Sequence, residues 1–180
     1  TSNGEFGYFT GGLRYNATDR NSQTSRIDFA NDTQYGTKVG NLPEDTASLG
    51  ATGNQEFGYY AGGTTDGSTT GVSSVNRLDY ATDMIVLSPK GNLSDSRYYL
   101  KATGSKDFGY FMGGAVESYN PSANFSDVDR LDFSNDTADM VAKAFLPTGK
   151  GYMRGFSSLT HGYTSGGYAP AFSTRMSTID

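Results

Sequence analysis

Aromatic and small residues alternate along this chain in short runs that end in paired glycines. Phe6, Tyr8 and Thr10 fall on one face of an extended segment and Gly7 and Phe9 on the other, just before Gly11-Gly12. A period of two predicts a β-strand, and the glycines end it. The same wording returns at Phe57-Gly58-Tyr59-Tyr60-Ala61-Gly62-Gly63 and at Phe108-Gly109-Tyr110-Phe111-Met112-Gly113-Gly114. It loosens to His161-Gly162-Tyr163-Thr164-Ser165-Gly166-Gly167, with spacings of 51, 51 and 53 residues.

Two further elements keep the same step. One is Arg26-Ile27-Asp28-Phe29, Arg77-Leu78-Asp79-Tyr80 and Arg130-Leu131-Asp132-Phe133; the other is Ala51-Thr52-Gly53-Asn54 and Ala102-Thr103-Gly104-Ser105. Three elements in fixed order at one period define an internal repeat. Each unit reads as four strands. A small-residue strand A (Ala47 to Thr52, Tyr99 to Thr103) precedes the aromatic strand B, and a Ser/Thr/Gly/Asn loop leads to strand C (Ser25 to Phe29). An Asn-Asp-Thr turn leads on to strand D, near Gln34 to Val39. Short strands with a turn about every ten residues predict an all-β propeller, sandwich or barrel, and a period near fifty selects the propeller.

These motifs resemble the kelch repeat. The glycine pairs Gly11-Gly12, Gly62-Gly63, Gly113-Gly114 and Gly166-Gly167 carry the likeness over essentially the whole chain. The resemblance implies an arginine after each strand D; Arg97 and Arg154 stand near that place, with Thr46 in the first unit. The kelch tryptophan is absent, and Tyr35, Ile85 and Met140 lie near its position. In motif style the repeats are also similar to those of virion structural proteins of marine tailed phages, cyanophages among them. That likeness implies a tail, fibre or capsid-surface component located on the virion or outside the cell.

Residues 1–180 are thus expected to form one repeat array, with units starting near Phe6, Phe57, Phe108 and His161. Residue 1 precedes a strand B, and Ser177-Thr178-Ile179-Asp180 matches Ser25-Arg26-Ile27-Asp28 inside a strand C. That makes fourteen strands, about three and a half blades. A fragment of a longer propeller is the preferred reading; a ring completed by a second copy, giving seven blades, or a four-blade ring closed by the termini are the alternatives.

Composition narrows the chemistry. With 24 glycines, 13 tyrosines, 11 phenylalanines and a net charge of -5, the chain reads as ordered and turn-rich. It has no cysteine and one histidine, which excludes a disulfide framework, a thiolate metal site and the copper-radical chemistry of kelch oxidases. Acidic balance argues against nucleic acid as a partner, and no apolar run is long enough for membrane insertion as a helix. No cofactor and no metal is expected. Asp127 and Asp129 lack the Asp-x-Asp-x-Asp-Gly pattern of a calcium loop, and His161 reads as a packing substitution for the phenylalanine of the other units.

Candidate binding residues lie on the B–C loops: Arg14, Tyr15, Asp66, Glu117, Tyr119, Phe125, Tyr168 and Phe172. Aromatic rings on loops held by a rigid scaffold suit recognition of a sugar or a protein surface. The pairs Arg26/Asp28, Arg77/Asp79 and Arg130/Asp132 put both charges on one strand face; their recurrence predicts a structural role, an ion pair between units or a hydrogen bond to the turn backbone. The Asn-Asp-Thr turns at Asn31 and Asn135, like Asn16, Asn92 and Asn124, also read as sequons, though Asn and Asp explain a turn without glycosylation. The expected function is non-enzymatic: a virion module whose loops bind partner proteins, further copies of itself or cell-surface glycans. A secreted carbohydrate-binding or carbohydrate-active propeller, with Asp66 and Glu117 as the only tempting acid–base pair, is the first alternative. A kelch adaptor scaffold is the second.

Overall fold

A computed structural model describes residues 1–15, 19–31, 35–65, 70–83, 85–116, 124–158, 160–169 and 175–179. Among them the protein is all-β, with fifteen short strands and no helix. In chain order these are β1 Phe6–Thr10, β2 Gln23–Asp28, β3 Thr37–Asn41, β4 Thr46–Ala47, β5 Gly50–Gly53, β6 Phe57–Ala61, β7 Thr64–Thr65 and β8 Val75–Asp79. They continue with β9 Ser88–Pro89, β10 Lys101–Gly104, β11 Phe108–Met112, β12 Asp127–Asp132, β13 Val141–Phe145, β14 Arg154–Ser157 and β15 Gly162–Ser165.

The strands pair antiparallel in chain order into sheet I (β1-β2-β3), sheet II (β5-β6-β8-β9), sheet III (β10-β11-β12-β13) and sheet IV (β14-β15). The two-residue pair β4-β7 ties sheet I's exit to the loop of sheet II. Register repeats from sheet to sheet: Phe6 faces Asp28, Phe57 faces Asp79 and Phe108 faces Asp132. A β-bulge recurs too, between Thr24 and Ser25 in sheet I and between Val128 and Asp129 in sheet III.

Alternation decides the packing. In β6 the neighbours Tyr59 and Tyr60 point to opposite faces, and both are buried. Tyr60 joins Tyr8 and Leu42 of the preceding unit, with Leu78, Tyr80 and Leu87 around it. Tyr59 joins Leu100, Phe111, Leu131 and Met140 of the following unit. Each sheet therefore has a leading face, packed on the previous unit, and a trailing face, packed on the next. The first strands of sheets II, III and IV are adjacent, β5 against β10 and β10 against β14. The stack does not close: Phe9 on sheet I and Phe156 on sheet IV are 62% and 49% exposed.

The paired glycines have a steric reason. Gly62 and Gly63 hold φ of 66° and 102°, and a Cβ on Gly62 would lie 2.5 Å from the Arg97 carbonyl oxygen. That carbonyl accepts a hydrogen bond from Gly63 N, as those of Thr46 and Lys150 do from Gly12 N and Gly114 N. Only glycine combines this backbone conformation with so close an approach.

Those bonds correct several expectations. The residue in register with Thr46 and Arg97 is Lys150, not Arg154, which opens β14. Thr1 and Ser2 do not merely precede strand B; they pair with Tyr8 and Gly7 as Thr52 and Gly53 pair with Tyr59 and Gly58, and so end a strand A. Thr178 accepts from Gly166 N as Gln23 does from Gly11 N, so Ile179 corresponds to Thr24 and not to Ile27. Strand D runs over Thr37–Asn41, later than Gln34 to Val39, and Gln34 lies outside the described residues.

Candidate functional site

The chain meanders, so the loops after the glycine pairs and the segments leading into the first strands emerge at the same end of each sheet. Bridges tie them together: Tyr98 pairs with Ala115, and Gly151 with Tyr168. At this end Ser48, Tyr99 and Tyr152 occupy one repeat position, each left-handed with φ of 61°, 55° and 58°. Tyr152 N donates to Tyr99 O at 3.0 Å, and Tyr99 N donates to Ser48 O at 2.9 Å. Two tyrosines in a conformation that non-glycine residues rarely adopt are held there by this ladder.

Their rings form a continuous wall. Tyr99 stacks on Tyr152 with centroids 3.7 Å apart, Tyr98 sits 4.5 Å from Tyr99, and Tyr168 meets Tyr152 edge-on at 5.8 Å. Tyr98 is buried and supports the others, whereas Tyr152 is 41% exposed. Burial, and then the hydrogen bond with Tyr99, raises the Tyr152 phenol far above its ordinary pKa. The Tyr152 phenol therefore stays neutral at physiological pH, and the wall offers flat aromatic faces.

Behind it lies a buried ionic layer. Arg97 Nη2 sits 2.6 Å from Asp129 Oδ2, with both side chains fully buried. Ser94 donates to Asp129 through its backbone N and its hydroxyl at 2.9 and 2.8 Å, and the Arg97 guanidinium lies over the Phe125 ring at 5.4 Å. Desolvation lowers the Arg97 pKa, opposed first by Asp129. A buried charge held this way needs its partner, and Asp129 is the counter-ion of Arg97. Among the described residues no group of three or more His, Asp or Glu is placed to hold a metal.

Of the described residues expected on the loops, only Tyr168 belongs to the wall. Phe125 is drawn under Arg97. Tyr15 is 92% exposed, and Arg14 bonds within its own loop, Nη2 donating to Asn21 Oδ1 at 3.0 Å. Asp66, Glu117, Tyr119 and Phe172 lie outside the described residues. Tyr99 and Tyr152 were absent from the loop reading. Their signal was the shared offset from Ser48, hidden because Tyr99 reads as the start of a strand.

In the recurring Arg-x-Asp pairs the arginine and the aspartate make different contacts. Arg26 pairs with Asp83 of the next unit, and Arg77 with Asp136, which also accepts from Tyr59 Oη at 2.9 Å. Each arginine also covers a strand-B phenylalanine: Arg26 on Phe6 at 4.4 Å, Arg77 on Phe57 at 4.3 Å and Arg130 on Phe108 at 4.5 Å. Asp28, Asp79 and Asp132 accept from the backbone of Ala30, Ala81 and Ser134 and hold their turns.

A second concavity, about 360 Å³, opens between sheets III and IV with Tyr110, Met112, Val128 and Leu146 as its apolar floor. Its rim includes Thr103, Thr160 and His161. His161 is exposed at this rim, its Nδ1 2.8 Å from Thr160 Oγ1, and its ring lies 6.3 Å from that of Tyr163, as the Phe57 ring lies 6.4 Å from that of Tyr59. Thr164, which lines it, stands where Tyr60 and Phe111 are buried at the two preceding junctions. The cavity thus belongs to sheet packing, and the tyrosine wall is the better candidate for recognition.

No protein-family model matches the chain, and no curated protein matches it.

Proposed function

We propose that this chain is a kelch-like propeller segment acting as a non-enzymatic recognition module of a virion surface. Supporting the propeller reading are the sequential four-strand meanders, the face-to-face stacking and the adjacency of β5, β10 and β14. The observation that carries the recognition reading is the wall of Tyr99, Tyr152 and Tyr168 at the loop-bearing end, with Tyr99 and Tyr152 held at left-handed, hydrogen-bonded positions. Stacked phenols suit the apolar faces of pyranose rings, with hydroxyls at the edge for orientation. The virion assignment rests on the repeat wording.

The test is binding of the protein to an immobilised panel of bacterial surface oligosaccharides. Tyr152→Ala and Tyr168→Ala are expected to weaken binding about tenfold or more, as for other aromatic anchors, with bound sugar recovered uncleaved. Binding that survives both substitutions moves recognition elsewhere. Release of new reducing ends returns the module to the carbohydrate-active class.

A further inference from the structure

The two ends of the stack carry the two halves of its own internal junction. On the leading face of sheet I, Phe9 corresponds to Tyr60 and Phe111, which are 2% and 0% exposed, yet Phe9 is 62% exposed. Ile27 corresponds to Leu78 and Leu131, and Phe29 to Tyr80 and Phe133. Leu78 and Leu131 are fully buried, while Phe29 is 48% exposed. On the trailing face of sheet IV, Tyr163 holds the place of Tyr8 and Tyr59, both buried. Ile179 holds the place of Val75 and Val128; it is 68% exposed and they are buried. Phe156 stands where Thr52 and Thr103 stand and stacks on Tyr163 at 5.2 Å.

We propose that a second copy of this chain docks head to tail, with Phe156, Tyr163 and Ile179 of one copy packed on Phe9, Ile27 and Phe29 of the other. The occupant follows from continuity with the internal junctions, where Tyr59 and Val75, the counterparts of Tyr163 and Ile179, are buried in one cluster with Phe111 and Leu131, the counterparts of Phe9 and Ile27. Tyr8 stacks on Tyr80 at 4.6 Å and Tyr59 on Phe133 at 5.1 Å. By the same register Tyr163 stacks on Phe29 of the second copy. The interface is heterologous, since its two halves are different surfaces, and each copy keeps one free half. It stands on the repeat geometry alone and is independent of what the tyrosine wall binds.

Sedimentation or light scattering of the 19.2 kDa chain is expected to give a concentration-dependent mass of at least two copies. Phe9→Glu and Ile179→Glu, each on an exposed face, are expected to be folded monomers with wild-type circular dichroism. Mixed together they restore one interface and give a 1:1 pair of twice the monomer mass and nothing larger. A wild-type monomer at all concentrations overturns the proposal. So does an assembly that both variants preserve, or a mixture that stays monomeric while the wild type self-associates.

Discussion

The junction between sheets II and III and that between sheets III and IV use the same repeat positions with different contents. In the first, Tyr59, Ala61, Val75 and Leu93 meet Leu100, Phe111, Leu131 and Met140, and all eight are buried. In the second, Met112, Val128 and Leu146 meet Met153, and a cavity of about 360 Å³ remains. One strand-B position marks the change: Tyr60 and Phe111 in sheets II and III, Thr164 in sheet IV. The register between strands A and B is the same in sheets II, III and IV, so it does not depend on a full core. Side-chain volume decides how firmly one sheet holds the next.

The largest difference is expected on truncation. Phe111 is fully buried, and Phe111→Ala removes most of a packed ring, at a cost of ~3–5 kcal/mol. Thr164→Ala, at the matching position, deletes far less apolar surface and is expected to cost about 1 kcal/mol or less. Urea unfolding of both variants measures this. Equal losses would show that the two junctions contribute alike and that the cavity is no weak point.

Much of the framework was legible in the sequence. Period-two alternation and the glycine pairs placed every strand B, and the Arg-x-Asp pairs identified every complete strand C. Those signals are strong because a pleated strand packed on both sides dictates residue type at each position. The ends were misread for a related reason. Thr1-Ser2-Asn3 repeats Thr52-Gly53-Asn54, but with only two residues paired the alternation is too short to see. Ser177 to Ile179 matched Ser25 to Ile27 by composition, whereas the Gly166–Thr178 bond sets a different register. The tyrosine wall was hidden because its members come from connections of two kinds, brought together across the bridge from Gly151 to Tyr168.

A middle-sized effect sharpens the comparison from the other side. Thr164→Phe restores the aromatic of strand B next to an existing cavity lined by Tyr110, Met112 and Val128. Cavity filling of this kind commonly stabilises by ~0.5–2 kcal/mol. A raised urea midpoint with an unchanged slope is the expected result. A lowered midpoint would mean that the cavity is not accessible from the face of β15, and the contrast between the junctions would have to rest on sheet III alone.

The smallest effect concerns the turns, which sheets I and III share regardless of core filling. Asp132 accepts from Ser134 N at 2.9 Å and from Ser134 Oγ at 2.6 Å, and Asp28 accepts from Ala30 N at 2.8 Å and Asn31 Nδ2 at 2.6 Å. These hydrogen bonds, led by the one from Ser134 or Asn31 side chains, hold both carboxyls below the usual range. A folded-state pKa below the unfolded one gives stability that is complete above the unfolded value, near ~3.9, and lost as pH falls through the lowered folded value. The double variant Asp28→Asn with Asp132→Asn keeps an acceptor oxygen at each turn but cannot titrate. Its urea midpoint is therefore expected to fall less steeply than the wild type's on acidification from pH 5. Parallel slopes for the two proteins would show that these two turns contribute nothing to the acid sensitivity of the fold.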